Sequence, residues 1–187
     1  MVLLSLDASS SVTGWSIIQA NNKDEANLIA HGEIQLKKYK KKSFPLEYIK
    51  VLYDCLTSII KEYKPEIVYL EDIYAINQLT YKSLSRIRGI CENACLNNSI
   101  KQVYAIAASS ARKVVLGEGK GGTKSAQICT IMEDKFKKPL KTIGFDQIDA
   151  ILIGLYGVKD FYGSTKTNSK RRPRTTKPSD SSGKKRK

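Results

Sequence analysis

The chain has 187 residues, 41% hydrophobic and 27% charged, a length and balance that fit one soluble domain with an ordinary core. Its 32 Lys and Arg oppose 18 Asp and Glu, a formal +14, which points to a polyanionic partner: nucleic acid first, an acidic membrane surface second. No stretch reaches the roughly 18 to 20 apolar residues of a membrane span, and Asp7 interrupts the opening apolar run too early for a secretory signal, so the expectation is a protein that stays in the compartment where it is made.

The opening segment, MVLLSLDASSSVTGWSII, reads as a short buried strand through Val2, Leu3, Leu4 and Leu6, a Ser-rich turn over residues 9–14 and a second strand from Trp15. Asp7 stands at the end of the first strand. A carboxylate there either caps the turn through its side chain or needs a cation, because an unpaired buried ion costs several kcal/mol. A third strand over residues 28–36 completes a meander, and the basic loop KKYKKKS follows. Pro45 then opens a helix to Tyr63, marked by Leu46, Ile49, Leu52, Leu56, Ile59, Ile60 and Tyr63, and Pro65 stops it.

Residues 67–70 are a continuous apolar run, the pattern of a strand covered on both faces, ending in Glu71 and Asp72. A helix over 79–97, a strand over 102–107, a short helix over 109–116 and the loop GEGKGG come next. Thr123 can cap a helix over 124–136. The last ordered element, residues 145–161, has Ile148, Ile151, Leu152, Leu155 and Tyr156 on its core side, with Asp146 and Asp149 three apart on its first turn. Two acids there also have a structural explanation in the positive end of the helix dipole. The chain therefore divides into a folded domain, residues 1–162, and a Ser/Thr/Lys/Arg/Pro-rich tail, residues 163–187, expected to be disordered, whose ten Lys and Arg against one Asp carry +9 of the net charge.

Four cysteines without C-x-x-C spacing, and His31 as the only histidine, make a zinc site a poor reading and reduced, buried thiols a better one. The carboxylates are more informative. In a mixed sheet whose first strand lies beside the strand of Glu71, with the last helix over their ends, Asp7, Glu71, Asp146 and Asp149 can converge. An all-carboxylate donor set selects Mg²⁺ or Mn²⁺, and two such ions activate a water and stabilise the leaving oxygen of a phosphodiester. A basic protein with such a site is a nuclease candidate.

LDASSSVTGWSII, YLEDIYAINQLTYKSLSRIRGI, GGTKSAQI and FDQIDAILIG stand in the order and at the spacings of the motifs of the RuvC family of Holliday-junction resolvases, which this sequence resembles over residues 2–158. The resemblance implies an α/β, RNase H-like fold, a mixed five-stranded sheet flanked by helices. It also implies a homodimer that nicks two strands of a four-way DNA junction by metal-dependent hydrolysis, with two Mg²⁺ or Mn²⁺ per site and no small-molecule cofactor. Carried over by position, Asp7, Glu71, Asp146 and Asp149 are the metal-binding acids, with Glu71 bridging both ions. Tyr74 matches an aromatic that stacks on a base, and its plain reading is an ordinary half-buried loop tyrosine. Lys124 matches a lysine near the scissile phosphate, with Lys120 a second choice. Arg86, Arg88 and Arg112 are phosphate contacts or solvated surface.

The sequence departs from the family pattern at Ala8-Ser9, where bacterial members commonly have Pro-Gly, and at Asp72, where Gln is usual. KKYKKKS and the tail look like additions that raise general DNA affinity. The style of the chain suggests a phage or viral member acting in the host cytoplasm, and the KKRK ending would serve as a nuclear signal in a eukaryotic host. Two alternatives stand beside the resolvase: a ribonuclease on RNA-DNA hybrids, and a non-catalytic basic DNA-binding protein.

Overall fold

The opening apolar run folds as β1, Val2–Ala8, which becomes the centre of the sheet. The computed structural model describes residues 1–39, 46–74, 77–117, 133, 136 and 143–164. Strand β2, Val12–Ala20, returns antiparallel to β1, and β3, Ala26–Gln35, returns against β2 as an edge. Helix α1, Leu46–Tyr63, crosses to β4, Ile67–Glu71, which pairs parallel to β1 on its other side. Helix α2, Gln78–Asn97, leads to β5, Gln102–Ile106, parallel to β4 at the opposite edge. Helices α3, Ala108–Leu116, and α4, Phe145–Ser164, follow. The mixed five-stranded sheet has the order β3-β2-β1-β4-β5.

The period of two in a strand sorts side chains to opposite faces. Leu3, Ile18 and Tyr69 face α4 and pack with Ile148, Ile151, Leu152 and Leu155. Leu4, Leu6, Ile17, Val68 and Leu70 face α1 and α2 and pack with Leu52, Leu56, Ile87 and Cys91. The two faces stay in phase across β3 because Ile17 pairs with Ala30 while Ile18 pairs with Leu28, so Ile29 is the extra residue of a bulge. Asp7, two residues beyond Ser5 and four beyond Leu3, thus belongs to the α4 face.

Several boundaries differ from the sequence reading. The second strand begins at Val12, so Thr13 and Gly14 lie in the sheet and the turn shrinks to residues 9–11. Ser9 makes that turn, its hydroxyl donating to the Val12 carbonyl at 2.6 Å and accepting from the amides of Ser11 and Val12, and Asp7 is therefore not the turn cap. Helix α4 runs two residues past the boundary placed at 162. It is also buried nearly all round, with Ile153 and Val158 as inaccessible as Ile151 and Leu152, because the sheet lies on one side and α3 packs along another. Cys91 and Cys95 are buried and Cys55 half-buried. The helix predicted over 124–136 falls for the most part outside the described residues, as do Lys120, Lys124, Cys129, most of KKYKKKS and the tail from residue 165. No helix among the described residues is long and apolar enough to cross a membrane.

Candidate active site

Strand register brings the first two acids together. Leu6 pairs with Leu70 across the parallel β1–β4 ladder, so Asp7 and Glu71 are the next neighbours at the carboxyl ends of two central strands. Their carboxyl groups are close enough to hydrogen-bond when one of them holds a proton. On the other flank Asp7 pairs with Gly14, and Gly14 pairs with Glu33, giving one row across the sheet: Glu33, Gly14, Asp7, Glu71. Helix α4 starts directly above this row. A methyl group on Gly14 would collide with the backbone carbonyl of Asp146, so the glycine is what lets the helix N-terminus approach the strand. Gly154 and Gly157 do the same further along, where a Cβ would press on the hydroxyl of Ser5 and the ring of Tyr69.

The electrostatics follow from this geometry. Asp7 is only 8% exposed, and burial, the hydrogen bond to Glu71 and the negative field of Glu71, Asp149 and Asp146 push its pKa up to about 10. Asp146 is also raised, by burial and then by Glu33. A carboxyl group that holds its proton at neutral pH, as Asp7 does, marks a site short of positive charge. Part of the deficit is met from α3, where Arg112 donates from one guanidinium nitrogen to both oxygens of Asp149, at 2.8 and 2.7 Å. As they stand, no three acid, Cys or His side chains among the described residues close into a ready cage for a metal ion. The donor set nevertheless fits a hard divalent cation: it is all carboxylate, it is buried at one end, and it is held neutral there only by protons.

Beside the acids, toward α2, lies a recess of about 210 Å³ lined by Ala8, Ser9, Glu71, Asp72, Tyr74 and Arg88 among others. Tyr74 stands at its rim, 86% exposed and not half-buried, on the loop between β4 and α2. Asp72, to which the sequence assigns no role, accepts from Arg88 at 3.0 Å, and Arg88 also holds Glu92 at 2.7 Å. Arg88 is therefore a structural strut tying the end of β4 to α2. Arg86 is exposed and lines a separate recess with Ile49, Tyr53 and Ile90, between α1 and α2 on the sheet face away from α4, and the fold does not bring it to the acids.

Of the predicted site residues, the fold thus gathers Asp7, Glu71, Asp146, Asp149 and Arg112, with Tyr74 at the margin. Lys120 and Lys124 lie outside the described residues. The sequence reading missed Glu33, a fifth acid within electrostatic reach of Asp146. Its signal lies in the period of two shared by His31, Glu33 and Gln35, three polar residues on one face of the strand.

Comparison with known proteins places this arrangement. A family model described as crossover junction endodeoxyribonuclease RuvC matches residues 3–156. The chain belongs to the RuvC family. Among curated relatives, a crossover junction endodeoxyribonuclease RuvC from Wigglesworthia glossinidia brevipalpis is 28% identical over 160 residues, covering 82% of this chain and 91% of the relative. Its counterpart from Caldanaerobacter subterraneus subsp. tengcongensis is 30% identical over 128 residues, covering 68% and 74%. Among solved structures, Thermus thermophilus RuvC in complex with a Holliday junction substrate superposes with a TM-score of 0.74 at 15% identity, covering 89% of this chain and 97% of that one. The yeast mitochondrial Holliday junction resolvase gives 0.61 at 10% identity, covering 88% and 82%. The sheet with its flanking helices is the RNase H-like fold of these RuvC and resolvase structures, and membership of the RuvC family makes the chain a nuclease of the crossover junction class.

Proposed function

We propose that this protein resolves four-way DNA junctions by cutting two strands with a divalent-metal site built on Asp7, Glu71, Asp146 and Asp149. The observation that supports it best is the adjacency of Asp7 and Glu71 on parallel central strands, under the helix turn that carries Asp146 and Asp149, in a chain of the RuvC family. Two Mg²⁺ or Mn²⁺ ions held by these acids would activate a water and neutralise the leaving oxygen of the phosphodiester. Asp7, buried deepest, would have to give up its proton for a cation to be held there, and Glu71 beside it would be the next ligand of the set.

The other residues bind and orient. Arg112, once released from Asp149, is within the field of Glu71 and Asp7 and can hold a phosphate oxygen. Tyr74, exposed at the rim of the recess, offers a ring on which any unpaired base can stack. Lys124, with Lys120 as a second basic group, offsets charge developing on the phosphate. A homodimer would present two such sites to opposite strands. The loop KKYKKKS and the +9 tail add salt-sensitive affinity for any duplex, in the cytoplasm of the cell that makes the protein.

The test is incubation of purified full-length protein with a labelled four-way junction, a linear duplex and an RNA-DNA hybrid, in Mg²⁺, Mn²⁺ or EDTA. Paired symmetric nicks on the junction, dependent on metal, support the reading. Cleavage confined to the hybrid would move the protein to ribonuclease chemistry, and tight junction binding without product in either metal would make it a DNA-binding protein.

A further inference from the structure

Helix α4 carries two of the four acids but is attached to the sheet mainly by apolar contact, with Ile148, Ile151, Leu152 and Leu155 against Leu3, Ile18 and Tyr69. Such contact restricts the roll of the helix but is non-directional, so it does not by itself hold a side chain on the first turn to the tolerance of a metal ligand. A carboxylate about 6 Å from a helix axis moves about 1 Å for each 10° of roll, whereas metal ligands must sit within about 0.2 Å of their proper distances. Something directional has to fix the roll.

Arg112 ties Asp149 to α3, and Tyr69 and Tyr162 tie the far end of α4 through Asp160 and the Ala20 carbonyl; between the first turn and the sheet, the polar residues under α4 supply the directional contact. Ser5 pairs with Ser16 and Ser16 with His31, a row across β1, β2 and β3 two residues back from the row of acids. The Ser5 and Ser16 hydroxyls are 2.6 Å apart, and Ser16 donates to the Ala150 carbonyl of α4 at 3.4 Å. At the end of the row the His31 Nδ1–H donates to Gln147 Oε1 at 2.6 Å, in a partly buried bond. Gln147 sits between Asp146 and Asp149. On the same face of β3, two residues on, Glu33 packs so closely on Gly144 that a Cβ there would overlap its carboxylate. The edge strand farthest from Glu71 thus touches the first turn of α4 at two points.

We propose that His31 is a positioning residue for the metal site: its hydrogen bond to Gln147 fixes the roll of α4 and so sets Asp146 and Asp149 opposite Asp7 and Glu71. The inference rests on the reading of those four acids as metal ligands. His31 touches neither metal nor DNA in this role and acts only through Gln147. Asparagine places its amide nitrogen close to the position of the histidine Nδ1 and keeps the donor, while leucine has similar bulk and no donor.

The experiment is direct Mn²⁺ binding to full-length protein without DNA, read from the electron paramagnetic resonance signal of free Mn²⁺, with melting in EDTA measured alongside. His31→Leu is expected to bind Mn²⁺ about 10- to 100-fold more weakly than wild type, and His31→Asn within about threefold of it. Both should melt close to wild type in EDTA. Wild-type affinity in His31→Leu, or equal weakening in the Leu and Asn variants, overturns the inference. Gln147→Leu removes the acceptor from the other side and should weaken binding to the same degree; failure of both Leu variants to fold would make the bond a fold contact and overturn the positioning role. Asp7→Asn is the control. If wild type takes up Mn²⁺ no better than Asp7→Asn, the metal-site reading itself fails, a result distinct from tight wild-type binding that is indifferent to His31.

Discussion

Arg112 of α3 holds both carboxylate oxygens of Asp149 from a single guanidinium nitrogen, 37 residues away in sequence, with each side chain roughly a quarter exposed. The pair puts a protein cation at the edge of the acid cluster, where a metal would supply the same charge. Removing it should therefore matter most in the absence of metal. Arg112→Gln is expected to lower stability in EDTA by about 1 kcal/mol, the scale of a partly exposed pair, and saturating Mg²⁺ should close most of that gap. Differential scanning fluorimetry with and without Mg²⁺ measures both values. An equal deficit in the two conditions would mean that Arg112 and metal do not share Asp149.

Asp7 predicts a pH dependence with a definite sign. In the folded protein without metal its proton is retained to about pH 10, whereas the unfolded chain loses it near 3.8. The folded state binds the extra proton throughout that window, so the contribution to stability is full below about pH 4 and is lost as pH rises toward 10. Asp7→Asn keeps a hydrogen-bonding partner for Glu71 and removes the titration. In EDTA at pH 8 the variant should be more stable than wild type, by about 1 to 3 kcal/mol, and Mg²⁺ should stabilise wild type alone. Junction cleavage should vanish while junction binding, read by gel shift, is kept. Unfolding of Asp7→Asn in EDTA would make the carboxylate a scaffold element.

Gly14 predicts a steric effect on the position of α4. Gly14→Ala forces the methyl group against the Asp146 carbonyl and must lift the start of α4. The expected loss of stability is about 1 to 3 kcal/mol, the range for overpacking, while cleavage should fall at least about 100-fold, since a displacement of about 1 Å suffices for that. Melting curves and single-turnover cleavage by the same preparation separate the two effects. Activity that falls only in proportion to the folded fraction would mean that the approach of α4 is not needed for catalysis.

Tyr74 predicts a binding effect without a folding effect. Because its ring is 86% exposed, Tyr74→Ala should leave the melting temperature unchanged. Junction affinity, measured by fluorescence anisotropy in Ca²⁺, should drop by about 1 to 3 kcal/mol, the scale of one base stack. Tyr74→Phe retains the ring and should retain the affinity. Equal loss in both variants would assign the contribution to the hydroxyl and not to stacking.

Much of the architecture is legible in the residues because it is local. The stripe from Leu46 to Tyr63 and the apolar run of Ile67–Glu71 are set by side chains within a few positions of each other, and both appear as α1 and β4. The start of β2 at Val12, three residues before the apolar run from Trp15, has a nonlocal cause. Thr13 and Gly14 look like turn residues, yet they are in the strand because Ala8 and Asp7 pair with them and the Asp146 carbonyl needs the space above Gly14.

The order and type of the elements, and the standing of Asp7, Glu71, Asp146 and Asp149 at the ends of two strands and the start of a helix, are written in short segments of the chain, since periodicity and end positions are local properties. That Glu33 stands in the same row as Asp7, that Arg112 pairs with Asp149, that Asp72 is tied to Arg88 and that His31 holds Gln147 follows only from the way the elements pack. Each of these joins residues at least 16 positions apart, and the cross-strand and strand-to-helix contacts among them depend on a register in which one residue of slip would turn every side chain to the other face of the sheet.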